Sequence, residues 1–327
     1  MMNNMGHGLR GKRILFVGPV FHDYHLIIIN KLKEMGAEVS FFPERSYKMG
    51  FKLINNLLPQ QLGTYQKIHY RKANLSSNYD YLFVIRGFMM PAEFVNKFKE
   101  LNPLAKLIMY QWDSEIANPF SHLLELFDFT YSFDFEDCKT FPGLKYLPLF
   151  YSDDVTNYAK NKTNAEFDFF FMGFFFPERY KALLRFRDFA TANNYKLKGF
   201  LYMPLTSYIK EILKGAKIDR TVVSLKPMRR NDYLAFLGNT KVMVDVSNPN
   251  QTGLAMRVIE SLATNTKVLT NNFRLMEDSK IYDQTSIAFF DDNAPIVDSS
   301  FLKVDQEDLR NRVLSIKHWL ELIFMKG

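Results

Sequence analysis

The chain of 327 residues is long enough for two domains, each with its own hydrophobic core. Hydrophobic residues make up 47% and charged residues 24%, which excludes a disordered protein, and the single cysteine, Cys138, excludes an intrachain disulfide or a cysteine-rich metal site. The net charge of +7 suits an anionic partner, and nucleotide phosphates, an anionic membrane face and nucleic acid all meet that description.

The first half of the chain alternates apolar strands with helices. Residues 1–12 lack the apolar core of a signal peptide, so we expect a flexible tail on a cytoplasmic protein. Short apolar runs predict buried parallel strands, and helical spacing fills most of the segments between them. The predicted strands are 13–18, 38–42, 67–70, 81–85, 106–110, 129–132 and 145–147. This alternation indicates a doubly wound domain over residues 13–155.

After a polar linker near residue 160, the alternation starts again. The predicted strands of this half are 167–172, 197–202, 221–225, 242–246, 267–270 and 287–290. They define a second Rossmann-like domain over residues 166–304. We therefore expect an α/β protein with two Rossmann-like domains facing a cleft, with ligands outside the carboxyl ends of the strands.

The segment 305–327 closes the chain and contains a helix that is predicted over 305–324. Asp305 is placed to cap this helix, and apolar residues recur on one face at helical spacing. The stripe comprises Leu309, Val313, Ile316, Leu320 and Ile323. We expect the helix to pack back on the first domain, with Trp319 at the contact.

The most informative stretch is the loop and helix at residues 248–263. A polar loop runs into Thr252 and Gly253, where a helix N-terminus offers free backbone N–H groups to a phosphate. If the helix starts there, Arg257 and Glu260 lie opposite its apolar face. The arginine can bind a diphosphate as a fork, and the glutamate can accept both hydroxyls of a ribose. The same spacing also suits a simple Arg257–Glu260 pair on a solvated face.

Two more basic residues follow predicted strands of the second half. One strand ends at Gly173 and is followed by Arg179 in the first turn of a helix, while Lys226 follows a later strand. Both cations are expected at the ligand-binding edge of the sheet. The alternatives are an ion pair of Arg179 with Glu178 or Asp188, and a solvated Lys226.

Candidates for acid–base chemistry follow strands of the first half. His22, Asp23 and His25 come after the first strand, and Asp113 comes after the strand that ends at Tyr110. Asp23 is the leading candidate for a base, given a pKa tuned by burial or by a partner. Against this, Asp23 is well placed merely to cap the following helix, and a lone histidine is usually structural.

Several motifs with well-understood chemistry are missing from the sequence. It has no Gly-x-Gly-x-x-Gly fingerprint, no Walker loop and no His-Glu-x-x-His. An NAD-dependent enzyme, a P-loop enzyme and a zinc peptidase are therefore not supported.

The two halves and the motifs around residues 173–179, 226 and 251–270 resemble the GT-B glycosyltransferases, most closely the short members from bacterial capsule, exopolysaccharide and lipopolysaccharide clusters. The resemblance implies that the second domain binds a nucleotide-sugar donor and that the first binds the acceptor. The positions it implies at the donor are Gly173, Arg179, Lys226, Thr252, Gly253, Arg257 and Glu260.

The resemblance also implies a role for each of these positions. Glu260 binds the donor ribose, Thr252, Gly253 and Arg257 lie near the diphosphate, and Arg179 and Lys226 stabilise the leaving phosphate. GT-B enzymes generally need no metal, because basic side chains and a helix dipole neutralise the leaving group. We therefore expect no metal and no permanently bound cofactor.

One position departs from the common retaining pattern, which has two glutamates separated by seven residues. Glu260 matches the second glutamate, but Thr252 occupies the place of the first. This departure leaves the stereochemistry open. It favours an inverting mechanism, which would require a base such as Asp23.

The sequence thus predicts a cytoplasmic glycosyltransferase that builds a bacterial surface glycan. Its acceptor would be a saccharide or a lipid-linked intermediate at the inner face of the membrane. A sugar-nucleotide epimerase of the same fold is one alternative, although it would need several carboxylates and histidines around the donor. A non-catalytic nucleotide- or nucleic-acid-binding protein is another. We expect no nucleic-acid partner, because the basic residues are scattered and no nucleic-acid motif occurs.

Overall fold

The computed structural model describes residues 8–75, 78–159, 162–303 and 308–325. The strands are β1 Arg13–Gly18, β2 Glu38–Pro43, β3 Tyr81–Ile85, β4 Lys106–Gln111, β5 Phe129–Ser132, β6 Lys145–Tyr146, β7 Phe150–Tyr151, β8 Phe167–Phe174, β9 Leu197–Tyr202, β10 Val223–Ser224, β11 Thr240–Asp245, β12 Lys267–Thr270, β13 Ile287–Phe289 and β14 Leu314–Ser315. The α-helices are α1 Tyr24–Glu34, α2 Met49–Leu57, α3 Leu62–Tyr70, α4 Ala92–Leu101, α5 Phe135–Thr140, α6 Pro177–Ala192, α7 Leu205–Leu213, α8 Arg230–Gly238, α9 Met256–Ala263 and α10 Ile316–Met325. Short 3-10 helices cover Pro59–Gln61, Ser121–Leu126, Asp153–Tyr158, Lys162–Asn164, Phe273–Glu277, Ser299–Leu302 and Leu309–Arg312.

The chain divides into two compact units. Of the described residues, those up to Pro148, the segment Pro249–Gly253 and those from Ile316 onward form the first unit. Leu149–Asn248 and Leu254–Ser315 form the second. No described helix is both long enough and apolar enough to cross a membrane.

The first unit is built on a six-stranded parallel sheet in the order β2-β1-β3-β4-β5-β6. The central strands are apolar along almost their whole length because both faces of the sheet are covered. Helix α10 covers one face, where the ring of Trp319 lies 6.2 Å from that of Phe83 and 4.8 Å from that of Tyr110.

The second unit repeats this arrangement in a second six-stranded parallel sheet, in the order β10-β9-β8-β11-β12-β13. Phe169 and Phe171 of β8 pack with Phe186 of α6 in a fully buried core. Strands β7 and β14 form a separate parallel pair. The predicted α/β fold with parallel sheets in two domains is confirmed.

The predicted strand at 67–70 is wrong, because these residues belong to α3. Leu62, Gln66 and Tyr70 are the buried residues of this helix, at a spacing of four. That spacing places them on one helical face, which a four-residue window cannot reveal.

The predicted tail is also wrong where the structure describes it. Leu9 is only 1% exposed, and the N–H of Gly11 donates to the carbonyl O of Gly36 at 2.9 Å. Residues 1–7 lie outside the described residues. Residues 8–12 are therefore packed against the first unit.

The predicted helix over 305–324 begins later than expected. The structure has a 3-10 turn at Leu309–Arg312, then strand β14, and only then α10 from Ile316. Because β14 pairs with β7, the chain is held extended at Leu314–Ser315 and cannot be helical there. Asp305, the predicted cap, lies outside the described residues.

Candidate functional site

Two arginines meet beyond the carboxyl ends of β8 and β11. Arg179, in the first turn of α6, donates from Nε and Nη2 to the carbonyl O of Val246 at 3.1 and 2.7 Å. Arg257, in the first turn of α9, donates from Nη2 to the same carbonyl at 3.1 Å. Its Nη2 also lies 2.5 Å from Oδ1 of Asp245. Both guanidinium groups therefore converge on the residue that follows β11.

This cluster carries more positive than negative charge. Among the described residues, Asp245 is the carboxylate that lies against the two guanidinium groups. Burial, together with repulsion from Arg257, lowers the pKa of Arg179 to about 9, although attraction to Asp245 raises it. An anion bound here would relieve that repulsion, because it favours the charged form of both arginines. The cluster is suited to a phosphate.

Gly173 makes room for one of these arginines. A Cβ atom at this position would lie 3.0 Å from both Cδ and Nη1 of Arg179. Nη1 also donates to the carbonyl O of Phe174 at 3.0 Å, and the ring of Phe176 lies 4.1 Å from the guanidinium carbon. Arg179 thus bonds to main-chain carbonyls rather than to the alternative partners Glu178 and Asp188.

Glu260 lies in a different network of the second unit. Its side chain is only 1% exposed, and Oε1 accepts a hydrogen bond from Nη2 of Arg230 at 2.9 Å. The same arginine donates to Asp154 at 2.6 Å and to Oγ of Ser152 at 2.7 Å. Glu260 therefore does not form the solvated pair with Arg257, and its carboxylate is not open to solvent. Ribose binding by Glu260 stays a prediction.

Thr252 and Gly253 precede the helix that they were predicted to start, because α9 begins at Met256. Their backbone N–H groups donate to Oδ2 of Asp134 at 2.6 and 3.2 Å, and the hydroxyl of Thr252 donates to Oδ1 at 2.7 Å. A Cβ atom at Gly253 would lie 2.4 Å from the carbonyl O of Phe133, so only glycine fits. These contacts hold the loop within the first unit. Their contact with a diphosphate stays a prediction.

Lys226 lies on a pocket of about 650 Å³ in the second unit. Lys226 is exposed, and its backbone N–H donates to Oγ of Ser224 at 3.1 Å. The pocket is lined by Glu166, Lys198, Phe200, Ser224, Lys226, Pro227, Met228, Arg229, Asp232, Ala235, Phe236 and Asn239. Arg179 and Arg257 are not among these lining residues, so the pocket does not unite Lys226 with the arginine cluster.

The loop after β1, in the first unit, has an unusual backbone. His22 and Asp23 both adopt the left-handed conformation, with φ angles of 43° and 62°. Such strain is concentrated at functional sites in proteins. Asp23 directly precedes α1, but within the described residues its side chain makes no capping hydrogen bond. Asp23 is also exposed. Its side chain therefore does not have the capping role that was the alternative to a catalytic one.

The two histidines near Asp23 differ in environment. His22 is exposed, and its ring lies 4.3 Å from that of Phe21. Burial lowers the pKa of His25, although the nearby Asp23 raises it. Among the described residues, the buried Nδ1 atom of His25 has no hydrogen-bond partner. His25 is therefore more enclosed than His22.

Asp113 is already paired within the first unit. Its Oδ2 accepts from Nη1 of Arg86 at 3.2 Å, and its Oδ1 accepts from Nε2 of Gln251 at 3.1 Å. Arg86 also forms an ion pair with the buried Glu44. Both carboxylate oxygens of Asp113 are thus already engaged as hydrogen-bond acceptors. Asp23 has no such cation bound to it among the described residues.

Sequence reasoning missed the partners of these side chains. Asp245 is the last residue of β11 and Asp134 lies two residues after β5, and these positions were a usable signal for both. Arg230, Arg86 and Glu44 give no local signal of their pairing. No group of three or more His, Cys, Asp or Glu side chains within the described ranges is placed to hold a metal ion.

Solved structures match nearly the whole chain, whereas no family model and no curated protein sequence matches it. An alpha-glucosyltransferase in complex with UDP and a 13-mer DNA containing a central A:G mismatch has a TM-score of 0.60 at 13% identity, over 96% of this chain and 99% of that chain. Anabaena Alr3699/HepE in complex with UDP and glucose has a TM-score of 0.54 at 12% identity, over 96% and 98%.

An epimerase has a similar fold. A putative UDP-N-acetylglucosamine 2-epimerase from Listeria monocytogenes has a TM-score of 0.54 at 8% identity, over 97% of this chain and 98% of that chain. Identities this low establish the fold alone. The chain has the GT-B fold, as the resemblance implied.

Proposed function

We propose that this protein is a glycosyltransferase that moves a sugar from a nucleotide-sugar donor to a saccharide or lipid-linked acceptor. The observation that carries the proposal is the convergence of Arg179 and Arg257 on one carbonyl, with Asp245 as the facing carboxylate. Glycosyl transfer from such a donor releases a nucleoside diphosphate, and paired guanidinium groups stabilise that leaving group. Two structures of similar fold, one of them an alpha-glucosyltransferase, are complexes with UDP, which supports the same donor class.

The proposed reaction assigns one role to each unit. In the donor, the bond between the anomeric carbon and the diphosphate oxygen breaks, and the oxygen keeps the electron pair beside Arg179 and Arg257. The acceptor hydroxyl oxygen forms the new bond to the anomeric carbon, and its proton passes to the carboxylate of Asp23. This course inverts the anomeric centre and needs no metal. His22 and Asp113 are the other candidates for the base.

The remaining assignments belong to the same proposal. Lys226, Thr252 and Gly253 would act near the phosphates, and Glu260 would act at the ribose, as the resemblance implies. The acceptor would lie at the inner face of a bacterial cell membrane, where surface glycans are assembled. No permanently bound cofactor takes part.

Nucleotide binding tests the arginine site directly. Calorimetry with UDP, GDP, CMP and dTDP should reveal a preferred nucleotide, and Arg257→Gln should weaken its binding by about 10- to 150-fold, the effect of about 1.5–3 kcal/mol for a hydrogen bond to a charged group. Arg229→Gln is the matched control, because Arg229 is exposed and lines the pocket that contains Lys226. Lost affinity in the control alone would move the nucleotide to that pocket.

Two further assays separate the alternatives. A sugar-nucleotide epimerase would convert UDP-N-acetylglucosamine to its 2-epimer without any acceptor, whereas a transferase needs an acceptor for turnover. A nucleic-acid-binding protein would be stabilised against heat by an oligonucleotide with a steep salt dependence, and not by nucleotides. Either of these results would contradict the proposed reaction.

A further inference from the structure

Helix α2 of the first unit presents an apolar stripe to solvent. Met49, Leu53 and Leu57 follow one another at a spacing of four, so they share a face of the helix. They are 72%, 54% and 70% exposed. Phe51, the buried residue of the helix, is 5% exposed and anchors it to the unit. A surface helix normally turns its apolar residues inward, so a stripe of this kind marks an interaction surface.

The chain segment that carries this stripe is strongly basic, although one of its lysines, Lys67, pairs with Glu93 at 3.4 Å. Residues 45–72 contain six lysines and arginines and no aspartate or glutamate, whereas the whole chain has a net charge of +7. The basic residues of the segment are Arg45, Lys48, Lys52, Lys67, Arg71 and Lys72. Lys48 and Lys52 are exposed and immediately precede Met49 and Leu53, so they form a basic border along the stripe.

We propose that the exposed face of α2 docks on an anionic lipid bilayer. Such a surface offers acyl chains to the apolar stripe and negative headgroups to the lysines beside it. Nucleic acid would satisfy the lysines but would leave Leu53 and Leu57 in water. The inference rests on the proposed function only in that a lipid-linked acceptor would lie at this surface. Docking itself requires no turnover.

Helix α7 of the second unit provides a matched comparison. Its Leu205, Ile209 and Leu213 are 55%, 50% and 82% exposed at the same spacing of four. However, the surplus of positive charge is smaller here, since residues 205–220 contain four basic and two acidic residues and Glu211 pairs with Lys214 at 2.7 Å. The apolar areas of the two helices are thus similar, and the larger surplus of positive charge is the feature that distinguishes α2.

Co-sedimentation of the full chain with vesicles tests the proposal. Wild-type protein should bind vesicles with about 30 mol% phosphatidylglycerol and should bind phosphatidylcholine vesicles much less, with the difference shrinking as salt rises. Leu53→Glu/Leu57→Glu should lose binding to both, whereas Ile209→Glu/Leu213→Glu should bind like the wild type. Lys48→Gln/Lys52→Gln should weaken binding to the anionic vesicles by roughly 25-fold, about fivefold for each lysine.

Thermal unfolding and UDP calorimetry of each variant separate docking from folding and from the proposed function. Unchanged UDP affinity with lost vesicle binding supports docking, and lost UDP affinity with intact vesicle binding touches only the proposed reaction. The proposal is overturned if Leu53→Glu/Leu57→Glu binds anionic vesicles like the wild type. It is also overturned if neither the wild type nor this variant binds vesicles, and the wild type is a dimer whereas the variant is a monomer. The stripe would then be a dimer interface. Duplex DNA binding that needs Lys48 and Lys52 but not the leucines would overturn it as well.

Discussion

A methyl group added at Gly173 tests the arginine site with a minimal change. The new Cβ atom of Gly173→Ala would lie 3.0 Å from Cδ and Nη1 of Arg179 and 3.3 Å from its Cζ, so the guanidinium has to move by a few tenths of an ångström. Gly173 has no positive φ, so alanine adds no backbone strain. The displacement disturbs the hydrogen bonds that aim Arg179 toward Val246 and Phe174.

The expected size of the effect follows from those bonds. A hydrogen bond that involves a charged group contributes about 1.5–3 kcal/mol, and misalignment of one of two guanidinium groups should forfeit about half of one such bond. This loss of about 1 kcal/mol corresponds to a roughly fivefold increase in the Kd for UDP. Gly199→Ala is the matched control, because its Cβ atom would meet only apolar atoms of Leu183 and Val222 at 3.1 and 3.3 Å.

Calorimetry of UDP binding and urea unfolding of both variants check this reasoning. Both substitutions crowd the same sheet, so each should lower the free energy of unfolding by about 1 kcal/mol. Only Gly173→Ala should weaken UDP binding. Equal dissociation constants for the two variants would refute the argument, since Arg179 would then make no contact with the nucleotide.

Three further predictions address groups outside this pair. Asp23→Asn should lower product formation by about 10²- to 10⁴-fold, because it removes the proposed base. The fold and the UDP affinity should be unchanged, because the Asp23 side chain is exposed and does not cap α1. Retained turnover would place the base elsewhere. Glu260→Ala should lower the free energy of unfolding by about 2–3 kcal/mol in urea, because it removes a buried partner of Arg230, which keeps a second carboxylate. Unchanged stability would contradict this structural role, and lost UDP affinity in the folded variant would support the proposed contact of Glu260 with the ribose. Burial raises the pKa of Asp137 to about 6, above about 3.9 in the unfolded chain, so its ionisation destabilises the native state increasingly between about pH 4 and 6 and fully above that range. Asn at this position can still accept the hydrogen bond from the N–H of Glu115. Asp137→Asn should therefore raise the free energy of unfolding by about 1–2 kcal/mol near pH 7.5 and leave it unchanged near pH 4. Equal stability of the variant and the wild type near pH 7.5 would contradict this expectation.

The sheet strands were predictable because burial on both faces leaves a continuous apolar run. The predicted strand 81–85 coincides with β3, and 106–110 falls one residue short of β4. Helix α3 was missed because its buried face recurs every four residues and is invisible within 67–70. The start of α10 was misplaced because Leu309 and Val313 fit the helical spacing, yet β14 holds the chain extended just after them. Local patterns thus fail where a distant strand decides the conformation.

The candidate site shows the same limit, because local sequence predicts where a side chain lies but not its distant partners. Arg179 was placed by the strand end before it and Arg257 by its side of the helix, and the structure brings these two together. The partner of Glu260 is Arg230, 30 residues earlier, and that of Thr252 is Asp134, 118 residues earlier. Pairings over such separations are set by the packing of the sheet and helices. No spacing within the motif at 248–263 reveals them.

The contacts of Asp134 also explain why position 252 holds a threonine where the common retaining pattern has a glutamate. Its carboxylate accepts from the N–H and hydroxyl of Thr252 and from the N–H of Gly253, while the Thr252 hydroxyl accepts from the N–H of Glu136 at 3.0 Å. A glutamate at position 252 would bring a second negative charge against Asp134, which disfavours ionisation of both. A phosphate that reached these N–H groups would have to displace the carboxylate, whereas at the Arg179–Arg257 pair two positive charges face the single carboxylate of Asp245. The charge balance therefore favours the arginines as the main phosphate contacts, and Thr252 and Gly253 could act near the phosphates only after releasing Asp134.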